Sequence, residues 1–150
     1  MKIQGYVEKY LPEPKFIQLA TVGEGGKPWV CTVHFVVDKD SNIYWLSWPT
    51  RRHSEEVSKN SNVAITMVVK SDMPVIGLQA EGTAEQITSL PVVSKMMLKY
   101  VKKYGIGKGF YERVVSGDNK HRMYKLTPER FSLFDEVNFP KDSPQEWVLY

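Results

Sequence analysis

Apolar residues recur along this chain in short alternating runs separated by turn-forming clusters, the pattern of a strand-rich protein. Trp29 to Val37 is the clearest run. Trp29, Cys31, Val33, Phe35 and Val37 share one face, and Val30, Thr32, His34 and Val36 share the other. Its β-branched and aromatic residues favour a strand, and two largely apolar faces predict cover on both sides. Phe16 to Val22 precedes it, joined by the glycine-rich turn Gly23 to Pro28. Asp38 to Asn42 forms a hairpin turn into a further strand, Ile43 to Trp48. Val63 to Val69 and Val75 to Ile87 continue the series, and Gly77 and Gly82 predict bulges or a close approach by another group. Met123 to Leu126 and Arg130 to Phe134 read as strands interrupted by Thr127-Pro128.

Helical spacing is confined to three stretches. Ile3, Val7 and Leu11 fall on one helical face that Pro12 and Pro14 terminate. A short helix is predicted over Arg52 to Lys59, ended by Asn60-Ser61-Asn62. Pro91 to Tyr104 carries an apolar stripe of Val93, Met96, Met97, Tyr100, Val101 and Tyr104, with Gly105 as its stop. Its lysines, Lys95, Lys99, Lys102 and Lys103, predict a solvated face. Ile106 to Lys120 reads as a glycine-rich basic loop with a helical turn, and Phe139 to Tyr150 as a tail without clear period. Strands around inserted helices predict a closed or nearly closed antiparallel barrel in a single domain spanning residues 1–150.

The 150-residue length can enclose one real core. With 42% hydrophobic and 25% charged residues, a soluble globular protein is expected. Apolar runs such as Ala64 to Val69 are too short to cross a bilayer as helices, so no membrane partner is expected. The N-terminus shows no secretory pattern, and Cys31 is the only cysteine. That excludes an internal disulfide and a cysteine-based zinc site and predicts a cytoplasmic location. The net charge of +3 suits small anions but does not by itself indicate nucleic acid, and no nucleic-acid partner is expected.

The most informative chemistry lies between Trp45 and Val57, where a strand ends, the chain turns and a helix begins. Ser47, Thr50, Arg51, Arg52 and His53 gather at that start. A helix N-terminus offers free N–H groups and partial positive charge to phosphate, and arginine adds a bidentate fork. By spacing alone, an N-capped surface helix with solvated arginines accounts for the run at least as well as a phosphate pocket.

Other constellations are weaker. His34, His53 and His121 have neither the spacing nor the acidic companions of a metal site, and none is expected. No Gly-x-Ser-x-Gly elbow surrounds any serine. Cys31 sits mid-strand among apolar neighbours and reads as a packed residue rather than a nucleophile. The four tryptophans can stack on a planar ring or fill the core, and Trp48 borders the phosphate turn.

The run Phe16-Ile17-Gln18-Leu19-Ala20-Thr21, followed by Pro28-Trp29, Phe35-Val36-Val37-Asp38 and Ile43-Tyr44-Trp45-Leu46-Ser47, resembles the opening strands of pyridoxamine 5'-phosphate oxidase-like split barrels. Val75 to Ala84, with its Glu81-Gly82 pair, resembles a later strand, and Arg122 to Phe131 the closing strand. The resemblance implies a mainly β fold, a six-stranded antiparallel split β-barrel with flanking helices. It also implies FMN as cofactor and a homodimer with cofactor sites at the subunit interface. Arg52 matches the phosphate-binding arginine, Arg51 stands in place of a serine and His53 in place of a lysine. Leu46 and Ser47 match the strand end that meets the cofactor, with Trp48 and Thr50 beside it. By the same resemblance, Thr32, Val33 and His34 fall in the strand expected beside the flavin ring, and Gln79 near the partner's expected contribution. The implied function is an FMN-dependent oxidoreductase, flavin reductase-like, passing hydride from NAD(P)H through FMN to a small acceptor. The alternative is a non-catalytic flavin- or heme-binding carrier or stress protein. No catalytic acid or base stands out.

Overall fold

The computed structural model describes residues 1–149. Its framework is one antiparallel sheet of eight strands: β1 (Phe16–Val22), β2 (Pro28–His34), β3 (Val36–Val37), β4 (Ile43–Ser47), β5 (Asn62–Lys70), β6 (Ile76–Ile87), β7 (Arg122–Asp135) and β8 (Gln145–Val148). The order is β2-β1-β5-β6-β7-β4-β3, with β8 added to β7. The sheet curls until β2 contacts β4 without a ladder between them, which leaves the barrel split along that seam. The helices α1 (Ile3–Tyr10), α2 (Arg52–Lys59), α3 (Leu90–Tyr104) and α4 (Lys108–Ser116) flank it. None of them is long and apolar enough to cross a membrane.

Period-two alternation sets the interior. Ile17 and Leu19 of β1, Ile65 and Met67 of β5, Leu78 of β6, Trp45 of β4 and Phe131 and Leu133 of β7 form one buried cluster, capped by Val7 of α1 and by Leu11 just after it. Burying side chains of this size stabilises by roughly 1.5–3 kcal/mol each. On the outside of β3, β4 and β7 a second cluster joins Val36, Tyr44 and Met123 to Met96, Met97 and Tyr100 of α3 and Val114 of α4. The strand β4 is thus covered on both faces, which explains its unbroken apolar run.

Four expectations are corrected. The sheet has eight strands, not six, because Phe35 divides the predicted Trp29–Val37 strand and the tail supplies β8. Phe35 is fully buried where the chain crosses from β2 to β3. The predicted loop over 106–120 contains α4, whose apolar Val114 packs under α3. Thr127-Pro128 does not interrupt a strand, because a bulge between Glu81 and Gly82 accommodates it within β7. A Cβ at Gly82 would sit 2.1 Å from the Thr127 carbonyl oxygen, so only glycine fits there. The predicted two-sided cover of β2 is also absent within one chain, since Val30, Thr32 and His34 are exposed.

Candidate functional site

Where β2 parts from β4, a cleft of about 300 Å³ opens. The strand β2 lends it Thr32, Val33 and His34; the end of β4 lends Leu46, Ser47 and Trp48; and the start of α2 lends Arg51 and His53. Eight of the eleven residues singled out in the sequence therefore meet at one place. Thr50 is exposed in the preceding turn and does not line the cleft.

Arg52 is held elsewhere. Its Nε donates to Glu56 Oε2 at 2.9 Å, and its guanidinium lies 4.0 Å from the Trp29 ring centroid. Glu56 is itself fixed by the Thr21 hydroxyl, which donates to Oε1 at 2.7 Å. The Thr21 hydroxyl and the Arg52 guanidinium together hold the Glu56 carboxyl below the usual carboxylate range. Arg52 thus fastens α2 to the β1–β2 hairpin, while Arg51 faces the cleft. Gln79 lies on the outer face of the sheet.

The start of α2 is ordered by a small polar network. Arg51 N donates to the Trp48 carbonyl, which closes the turn, and Glu55 is the first residue to reach back along the helix, to Arg51 O. The amides of Arg52, His53 and Ser54 precede that first helical bond and have no intrahelical acceptor. Ser54 Oγ donates to Ser47 Oγ at 3.1 Å, and Ser47 Oγ lies 2.7 Å from His53 Nε2. Both serines are buried, so this network fixes the imidazole rather than decorating the surface. Burial, and then the neighbouring Arg51, push the His53 pKa below its ordinary value, with Glu56 opposing. An anion bound beside His53 would favour its charged form and oppose that shift.

Four further residues complete the lining: Tyr100, Ile106, Phe110 and His121. His121 stands edge-on to Phe110 at 5.3 Å and to Trp48 at 6.0 Å, so three rings from three elements form a continuous aromatic wall. Burial and Arg51 also lower the His121 pKa. Tyr100 donates through its hydroxyl to the His34 carbonyl at 2.9 Å. Tyr104 donates to the Phe35 carbonyl and accepts from the Phe35 amide. The helix α3 therefore pins the kink that aims the end of β2 at the cleft. Sequence reasoning missed these four residues. Tyr100 sat in a helix stripe that reads as core, Ile106 and Phe110 in a stretch read as loop, and His121 was weighed only as a metal ligand.

No acidic residue lines the cleft. Arg51 makes it cationic, with the His53 and His121 imidazoles beside it as further donors, while Trp48, Phe110, Leu46 and Val33 make it apolar alongside. A planar ligand with an anionic end fits that combination. Among the described residues no group of three potential ligands could hold a metal ion. Cys31 is half-buried, and burial pushes its thiol up to about 11, which suppresses the thiolate.

A larger concavity of about 450 Å³ lies on the outer sheet face, lined by Ala20, Ala64, Thr66, Gln79 and Ser132 among others. Small residues make it shallow, and exposed Phe16, Val30, Val68, Phe134 and Val148 belong to the strands around it. It lacks the converging cations and ordered amides of the β2–β4 cleft.

Solved structures share this architecture. A conserved hypothetical protein from Mycobacterium tuberculosis is similar with a TM-score of 0.78 at 14% identity, over 95% of this chain and 90% of that one. A general stress protein from Bacillus anthracis aligns with a TM-score of 0.72 at 15% identity, over 99% of this chain and 100% of the other. A heme storage protein from Vibrio cholerae aligns with a TM-score of 0.68 at 18% identity, over 99% and 95%. No curated protein matches the sequence. Residues 3–135 match the pyridoxamine 5'-phosphate oxidase family, and with its split, curled sheet and flanking helices the chain belongs to that family.

Proposed function

We propose that the β2–β4 cleft binds FMN and that the protein is a flavin reductase-like oxidoreductase acting as a homodimer. The observation that carries this is the preordered anion grip at the start of α2. Arg51, His53, Ser47 and the free amides of Arg52 to Ser54 converge at a cleft with no acid in its lining and an aromatic wall beside it. The residues fit the group: the cationic end suits the phosphate, and Trp48, Phe110, His121 and Val33 suit a flat heteroaromatic ring. When bound, FMN supplies two-electron chemistry, accepting hydride from NAD(P)H and passing reducing equivalents to a small acceptor. The chain's own part is to anchor the phosphate, orient the ring along Thr32 to His34, and exclude water with Trp48 and Phe110.

At about 300 Å³ the cleft of one chain is at the small end for a ligand of this size. The uncovered apolar face of the sheet, which includes Val30 of β2, supports a second copy seated there and completing the site. Thr32 and His34 lie on that same exposed side of β2, and Gln79 lies on the outer sheet face where the second copy would sit.

A second reading, a heme carrier, is favoured by one observation. Three imidazoles line the cleft, and His121 is kept towards its neutral, metal-binding form. The heme storage protein from Vibrio cholerae is built on a similar fold. Loading the purified protein separately with FMN and with hemin, then desalting, tests both. Retention of a flavin spectrum that NADPH bleaches supports the oxidoreductase. Retention of a Soret band alone supports the carrier.

A further inference from the structure

A second fixed cation stands at the rim of the cleft, outside its lining. Beyond the grip at α2, the loop entering β7 places Lys120 against the same tryptophan: Lys120 Nζ lies 5.0 Å from the Trp48 ring centroid and the Arg51 guanidinium 4.7 Å. That loop is built rather than loose. Arg122 Nη1 donates to the carbonyls of Asn119 at 2.6 Å and His121 at 2.9 Å, and Asn119 Oδ1 accepts from the His121 amide at 2.9 Å. His121 is then wedged between Trp48 and Phe110. Among the described residues Arg51, Lys120 and Arg122 form no ion pair. Arg51 and Lys120 are like charges over one ring, and an anion shared between them offsets their repulsion.

We infer that Lys120, presented by the Arg122-stapled loop on the rim of Trp48, forms with His121 a second phosphate subsite that selects a 2'-phosphorylated nicotinamide dinucleotide as reductant. This rests on the flavin reading, which assigns the α2 end of the cleft to the cofactor's own phosphate. A phosphate monoester dianion is the chemistry that a lysine, an imidazole and a neighbouring guanidinium recognise together. The 2'-phosphate is what distinguishes NADPH from NADH, and basic residues are the usual means of accommodating it.

The test uses FMN-loaded protein, so that the cofactor's phosphate position is filled. Titration calorimetry reports binding of adenosine 2',5'-bisphosphate and of 5'-AMP, and steady-state rates compare NADPH with NADH. The expected result is binding of the bisphosphate at least about tenfold tighter, and a similar preference for NADPH in kcat/KM. In Lys120→Gln both ratios fall towards one while FMN affinity is unchanged. Equal affinities in the wild type, or a preference that Lys120→Gln leaves intact, overturns the inference alone. A preference for the bisphosphate without one for NADPH assigns the subsite to the acceptor and overturns the choice of reductant. Protein that takes up no FMN overturns the flavin reading, and this inference with it.

Discussion

At the scale of single residues the site turns on two adjacent arginines with different fates. Arg52 is spent on Glu56 and Trp29, and Arg51 is left facing the cleft. Arg51→Ala is predicted to weaken FMN binding by about 1.5–3 kcal/mol, the worth of a charge-assisted hydrogen bond, measured by equilibrium titration. Arg52→Ala is predicted to leave that affinity nearly unchanged and to loosen α2 instead. His53 supplies a pH test. Its folded pKa lies below its unfolded value, so the unfolded chain binds more protons as pH falls through about 6.5. The contribution from His53, shared with His121, is fully present above that pH and is lost below it. The urea midpoint of the flavin-free protein is therefore predicted to be lower at about pH 5.5 than at about pH 7.5, and less so in His53→Gln. Carboxylates such as Asp38, whose pKa is lowered as burial is outweighed by hydrogen bonds from Asn42, Tyr44 and Asp40, act only in a more acidic window. Sequence could bring Arg51, Arg52 and His53 to one helix start. It could not say which arginine faces inward, because that choice is made by Glu56, whose position depends on Thr21 of a distant strand.

At the scale of elements, the cleft depends on α3 holding the β2–β3 kink. The Tyr104 hydroxyl accepts from the Phe35 amide and shares its one proton between the Phe35 and Lys15 carbonyls, and Lys103 donates a bond to Phe35 O. Burial, with Lys15 nearby, lowers the Lys103 amine to about 8. Tyr104→Phe leaves the Phe35 amide and the Lys15 carbonyl without this partner, with Phe35 O kept only by Lys103, and is predicted to destabilise by about 1–3 kcal/mol in urea unfolding. Gly82→Ala is predicted to cost about as much or more, because its methyl meets backbone rather than a yielding side chain. The strands were legible from alternation and the helices from spacing, since both reflect one buried face. The loop read over 106–120 hid α4 because glycines mask a helix whose stability comes from packing on α3. The residues on α3 and α4 that line the cleft were illegible for the same reason, since a stripe that packs and a stripe that binds look alike.

At the scale of the whole molecule, the sheet leaves one apolar face without cover. Phe16, Val30, Val68 and Phe134 are each at least 41% exposed there, more than a lone soluble domain ordinarily leaves together. Val68→Lys is predicted to shift the protein to a monomer by sedimentation and to weaken flavin retention with it, although Val68 does not line the cleft. The two-sided apolar pattern of Trp29 to Val37 is not matched by cover within one chain, and the proposed second copy would supply it. The proposed function stands on Arg51, His53 and Ser47 gripping a flavin phosphate at the start of α2. Titrating FMN into wild type and Arg51→Ala at equal ionic strength, followed by flavin fluorescence, tests it most directly. Saturable binding that weakens at least about tenfold in the variant is predicted; no saturable binding, or the same affinity in both proteins, contradicts it.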